Sequence, residues 1–117
     1  MNTTQEIDAV TLKNWLASGK KVNILDIRPL AERLECNIPG SIHTDVYEKI
    51  KENDPSAFDK IYLDKSVPAV VFCAGGKTSL IAAGILSQNG YDAFSLSQGI
   101  NGWNNSIQKI PDSNSKV

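Results

Sequence analysis

Short apolar runs alternate with segments of helical pattern along this chain, and that alternation limits the folds open to it. Val22-Asn23-Ile24-Leu25-Asp26 reads as a buried strand. Ala69-Val70-Val71-Phe72, behind Pro68, reads as a second, and Ala93-Phe94-Ser95-Leu96 as a third. Asp8 is placed to cap a helix over residues 10–16, where Leu12, Trp15 and Leu16 share one stripe and Gly19 is the stop. Pro29 suits the first turn of a short helix reaching Leu34. Pro39-Gly40 marks a turn, and Ser41-Ile42-His43 a short strand. Residues 78–88 form a helix with small residues at its centre, ended by Asn89-Gly90, and residues 99–104 a last short one. Strands alternating with helices require right-handed crossovers, which predicts an α/β fold with a parallel sheet and helices on both faces. In such sheets the functional loops lie at the C-terminal ends of the strands.

With 117 residues the chain suits a single domain, expected over residues 1–110, with 111–117 (PDSNSKV) as a frayed tail. The formal net charge is -1 and the basic residues are scattered, their longest run being Lys20-Lys21, so no nucleic-acid partner is expected. No apolar stretch is long enough to span a membrane, and MNTTQEID lacks the layout of a signal peptide. The expected location is the cytoplasm, with no membrane partner. Two cysteines make no disulfide framework, and with one histidine and no CxxC no metal site is expected. The charged stretch 45–65 reads as one or two short surface helices broken at Asp54-Pro55, either a solvated face or a place where a partner docks.

The stretch FCAGGKTS, residues 72–79, carries the chemistry. Gly76-Lys77-Thr78 has the ending of a phosphate-binding P-loop, but that pattern needs glycine at position 71, where Val71 stands inside a strand. The better reading starts from Cys73, between the end of a strand and the start of a helix. Gly75 and Gly76 allow positive φ, so the loop can curl and aim several N–H groups inward. The helix start adds partial positive charge at the same place. Both effects favour thiolate over thiol and would hold an anionic substrate beside it. Lys77 adds a full charge, and Thr78 and Ser79 offer hydroxyl donors. The bland alternative is an inert buried cysteine. A cysteine phosphatase or related arsenate reductase would need His before Cys73 and Arg six residues after it, where Phe72 and Ser79 stand.

Four segments in order resemble single-domain rhodaneses, a sulfurtransferase family. They are Asp26-Ile27-Arg28 with Glu32, Asn37-Ile38-Pro39-Gly40-Ser41, Cys73-Ala74-Gly75-Gly76-Lys77-Thr78, and Leu96-Ser97-Gln98-Gly99 with Trp103. The resemblance implies a three-layer fold around a parallel five-stranded sheet, and no cofactor. It implies Cys73 as nucleophile and Ala74, Gly75, Gly76, Lys77 and Thr78 as the substrate-binding loop. It also implies a small anionic sulfur donor, such as thiosulfate or a related persulfide, and a thiol or protein acceptor. Six-residue loops go with sulfur in this family, whereas the seven-residue loops of related phosphatases leave room for phosphate or arsenate. A sulfur-carrying or regulatory module without turnover is the alternative within the same family. The chain departs from the family at Ala74 and Gly75, where many members carry basic or bulky polar residues, leaving Lys77 as the sole loop cation. It departs again at Cys36-Asn37, where the family has Gly-His.

Other residues carry two readings each. Cys36 is a resolving thiol for Cys73 or a small side chain in place of glycine. Arg28 either pairs with Glu32 four residues on or lines the pocket and draws anions. Asp26 is expected to brace loops, His43 to be a polar strand-end residue, and Trp15 and Trp103 to lie in the core.

Overall fold

The uninterrupted apolar run Ala69–Phe72 has every residue buried and forms the central strand of a five-stranded, wholly parallel sheet. The structure, a computed structural model, describes residues 4–106. The elements in chain order are β1 (Gln5–Ile7), α1 (Ala9–Ala17), β2 (Asn23–Asp26), α2 (Leu30–Glu35), β3 (Ile42–His43), α3 (Tyr47–Lys51), β4 (Ala69–Phe72), α4 (Lys77–Gln88) and β5 (Ala93–Leu96). Residues 99–106 are helical as well. The strand order is β1-β5-β4-β2-β3. The expected α/β architecture is therefore present, with helices on both faces of the sheet. The expected tail 111–117, and residues 1–3 and 107–110 of the expected domain, lie outside the described residues.

Alternation along the strands separates two cores. Val70 and Phe72 face one core with Ile24, Leu12 of α1, Ile100 and Trp103. Val71 and Cys73 face the other with Leu25, Ile27, Ile50 of α3 and Ala82, Ala83 and Leu86 of α4. The small residues of α4 let it lie close on the sheet. Trp103 is buried as expected, and Trp15 packs edge-on against Phe94 with ring centroids 5.3 Å apart.

Local chemistry explains the boundaries. The Asp8 side chain accepts the Thr11 N–H at 2.8 Å and caps α1. Pro29 caps α2, its fixed φ suiting that place. One expectation about the fold needs correction. The segment 45–65 is not only a solvated face, because Val46, Ile50, Ala57 and Phe58 are buried in the α4-side core. Its charges hide an apolar minority that anchors it. The sequence also gave no sign of β1. That edge strand pairs with β5 in the register Gln5↔Phe94 and is tied by the Gln5 side chain to Asp92 and the Ala93 carbonyl.

Candidate active site

The chain leaves β4 toward α4 on one face of the sheet and leaves β5 toward the 99–106 helix on the other. Loops diverging between neighbouring strands open a crevice at their C-terminal ends. Cys73 lies there. Its sulfur accepts the Gly76 N–H at 3.1 Å and the Ser79 N–H at 3.4 Å. Ser79 is the third residue of α4, so the sulfur occupies the place where a capping oxygen usually sits. Gly76 turns the chain into the helix with φ +105°, in the left-handed region. A Cβ there would meet the Gln98 backbone nitrogen at 2.9 Å.

A clamp from the far face fixes the loop. Ile100 N–H donates to the Cys73 carbonyl at 2.9 Å and Asn101 N–H to the Ala74 carbonyl at 3.3 Å. Peptide groups are planar and trans, so drawing these carbonyls toward the 99–106 helix turns the N–H groups of Ala74 and Gly75 the opposite way. Gly99 makes the approach possible: its φ is +52°, and a Cβ would fall 2.2 Å from the Cys73 carbonyl oxygen. The sequence marks Gly99 as the start of a last short helix and as part of a resemblance, whereas its close approach to the cysteine's own carbonyl emerges only in the structure.

The loop residues differ in access. Cys73 is 4% exposed. Ala74, Gly75 and Lys77 are exposed, Thr78 is half-buried, and Gly76 is buried. The N–H groups of Lys77 and Thr78 begin α4 and so have no acceptor within the helix. The loop thus combines a buried sulfur, two N–H groups directed at it, a helix N-terminus and one flanking cation. Such a set can receive a small anionic group at the loop. Among the described residues, no cluster of histidine, cysteine, aspartate and glutamate is placed to hold a metal ion.

Arg28 lies elsewhere. Its Nε and one terminal nitrogen bond the Asp26 carboxylate at 3.0 and 2.9 Å, and that same nitrogen bonds the Cys36 carbonyl at 2.6 Å. The guanidinium lies over the Phe72 ring, 5.3 Å from its centroid, on the side of the sheet opposite the Cys73 side chain. The expected pairing with Glu32 is replaced by this one with Asp26. Arg33 joins the same carboxylate at 3.1 Å and also holds Ser41. Burial alone would raise the Asp26 carboxyl, but the two guanidinium groups hold it below the usual carboxylate range. The same contact raises Arg28 against the lowering effect of its own burial. Asp26 thus braces the loops after β2, as expected. His43 donates from Nε2 to the Arg28 carbonyl at 2.8 Å. Cys36 is an exposed free thiol at the end of α2, and Cys73 is likewise free.

Comparison with known proteins shows the family. The family model for the rhodanese-like domain matches residues 8–106. The chain is 33% identical over 87 residues to the Adenylyltransferase and sulfurtransferase MOCS3 of Drosophila persimilis, covering 72% of this chain and 19% of that one. It is 30% identical over 87 residues to YrkF of Bacillus subtilis, named as a candidate sulfur carrier protein, covering 74% and 43%. The chain therefore spans less than half the length of either curated relative. Among solved structures, a rhodanese-like domain protein from Staphylococcus aureus superposes with a TM-score of 0.69 at 29% identity, covering 86% of this chain and 91% of that one.

Proposed function

This chain belongs to the rhodanese-like domain family, and from that premise we propose that it is a sulfurtransferase with Cys73 as its nucleophile. The Cys73 thiolate attacks the outer sulfur of an anionic donor such as thiosulfate. A new S–S bond forms, the donor's own S–S bond breaks, and sulfite leaves with the bonding pair. The product is a persulfide anion on Cys73. A thiophilic acceptor, either cyanide or a thiol, then attacks the outer sulfur, the persulfide bond breaks, and the thiolate returns. This is covalent catalysis in two half-reactions.

The observation that carries the reading is the pair of N–H groups, from Gly76 and Ser79, directed at the Cys73 sulfur where α4 begins. Ala74 and Gly75, whose N–H groups turn away from the clamping helix, and Lys77 and Thr78, at the helix start, form the rest of the anion cradle. Arg28 acts at one remove in this reading. Its bonds to Asp26 and the Cys36 carbonyl hold the segment after β2 in place. The donor is a small anion that carries a sulfane sulfur, thiosulfate or a related persulfide, and the acceptor is a thiol or a protein.

Thiocyanate formation from thiosulfate and cyanide tests the reading. The wild type is expected to turn over steadily and Cys73→Ser not at all, while both unfold at similar temperatures. A Cys73→Ser protein with full activity rejects the mechanism. A wild type that releases one equivalent and stops identifies a sulfur carrier instead.

A further inference from the structure

Two hydroxyls lie behind the Cys73 sulfur, away from the solvent side of the loop. Ser79 and Ser95 are both fully buried. Their oxygens are 2.7 Å apart. Ser79 Oγ also lies 3.5 Å from Cys73 Sγ and 3.2 Å from the Gly76 carbonyl oxygen. The sheet register places Ser95 there. Ser95 pairs with Val71 across β4 and β5. Residues two apart on a strand share a face, so Val71, Cys73 and Ser95 all face α4. A serine in this strand costs desolvation unless its hydroxyl is bonded, whereas alanine would cost nothing. The hydroxyl therefore calls for a reason beyond packing.

Counting protons supplies one. A serine hydroxyl has one hydrogen to donate and two lone pairs to accept with. When Cys73 is a thiol, its S–H donates to Ser79 Oγ, and Ser79 O–H donates to the Gly76 carbonyl. Ser95 O–H fills the second lone pair of Ser79. When the thiol releases its proton to solvent, the sulfur can only accept. Rotation about a single torsion then turns Ser79 O–H from the Gly76 carbonyl to the sulfur. Ser95 O–H stays on Ser79 Oγ and polarises it as a donor.

We propose that Ser79 is a catalytic residue that switches from accepting a hydrogen bond from the Cys73 S–H to donating one to the thiolate, and that Ser95 is a positioning residue that acts through it. The inference rests on Cys73 being the reacting group of the proposed function. The surroundings leave few competing charges. The rest of the α4-side core around Cys73 is apolar except for Tyr91, whose hydroxyl accepts the Leu63 N–H. Lys77 is exposed on the first turn of α4. Asp26 and Arg28 are bonded to each other on the Phe72 side of the sheet.

The test is the pH profile of Cys73 alkylation by iodoacetamide in the full chain, with peptide mapping to separate Cys73 from Cys36. Ser79→Ala is expected to move the midpoint up by about one pH unit, the worth of one hydrogen bond to a charged group. Ser95→Ala is expected to move it up by about half as much. The double variant should match Ser79→Ala alone, because Ser95 acts only through Ser79. A Ser79→Ala midpoint equal to that of the wild type overturns the proposal, and so do shifts that add in the double variant. If Ser79→Ala loses its cooperative melt, Ser95→Ala decides, and an unmoved midpoint there overturns the proposal. Alkylation needs no sulfur donor. A shifted profile in a protein that takes up no sulfur would therefore uphold the hydroxyl pair while rejecting the sulfurtransferase reading.

Discussion

Gly99→Ala should be far more damaging than its small change in volume suggests. The position has φ +52°, and an alanine Cβ would fall 2.2 Å from the Cys73 carbonyl oxygen and 2.6 Å from that of Ala74. Left-handed backbone costs a non-glycine residue roughly 1–2 kcal/mol. The close contacts are with backbone, so the loop and the 99–106 helix must separate. Separation breaks the bonds from Ile100 and Asn101 to the two loop carbonyls. Each is worth about 1 kcal/mol. The sum is about 3–4 kcal/mol, or a drop of roughly 15 °C in Tm for a domain of this size. Gly40→Ala is the control: its φ is +83°, but a Cβ there meets nothing within 4 Å. It should lose only the backbone cost, about 1–2 kcal/mol. Thermal melts followed by circular dichroism measure both, and sulfur uptake by Cys73 should fall in Gly99→Ala and hold in Gly40→Ala. Equal melting losses in the two variants would refute the claim that the 99–106 helix clamps the loop.

Two further outcomes follow from charge. Asp26→Asn leaves the Arg28 cation buried without its carboxylate and should cost about 3–5 kcal/mol at neutral pH. Because the folded Asp26 carboxyl is held low, its stabilisation is present above the unfolded value of about 3.9 and is lost as pH falls through the depressed folded value. Urea melts over acid to neutral pH should therefore show the gap to wild type closing only in acid, and a gap that persists there would contradict the assignment. Lys77→Ala should raise the KM for doubly charged thiosulfate by about two- to five-fold, the worth of one exposed charge, and raise that of a singly charged donor less. Equal effects on both donors would mean that Lys77 does not read donor charge.

What the sequence disclosed followed from signals that are local. The run that became β4 is continuously apolar and that of β5 is apolar but for Ser95, Asp8 caps α1, and the cysteine, with a glycine pair two residues on, lies at a strand-to-helix junction. Part of what it concealed depends on partners distant in the chain, and part on local backbone turns that break helical spacing. β1 has one apolar residue in three and exists through its ladder with β5. Arg28 was read as four residues ahead of Glu32 on a helix, yet α2 begins after Pro29. Arg28 thus precedes the helix, helical spacing does not govern it, and its side chain folds back to Asp26. Ser95 looked like an ordinary strand residue, because only the register with Val71 brings it behind the cysteine. Gln98 stands in a left-handed conformation, φ +60°, which a non-glycine residue does not advertise.

The central claim is that Cys73 carries sulfur as a persulfide, and intact mass with peptide mapping before and after thiosulfate reads it directly. The account predicts a gain of one sulfur atom on the peptide that holds Cys73, removed by cyanide and absent from Cys73→Ser. Sulfur gained on the Cys36 peptide instead, or uptake that survives Cys73→Ser, would contradict it.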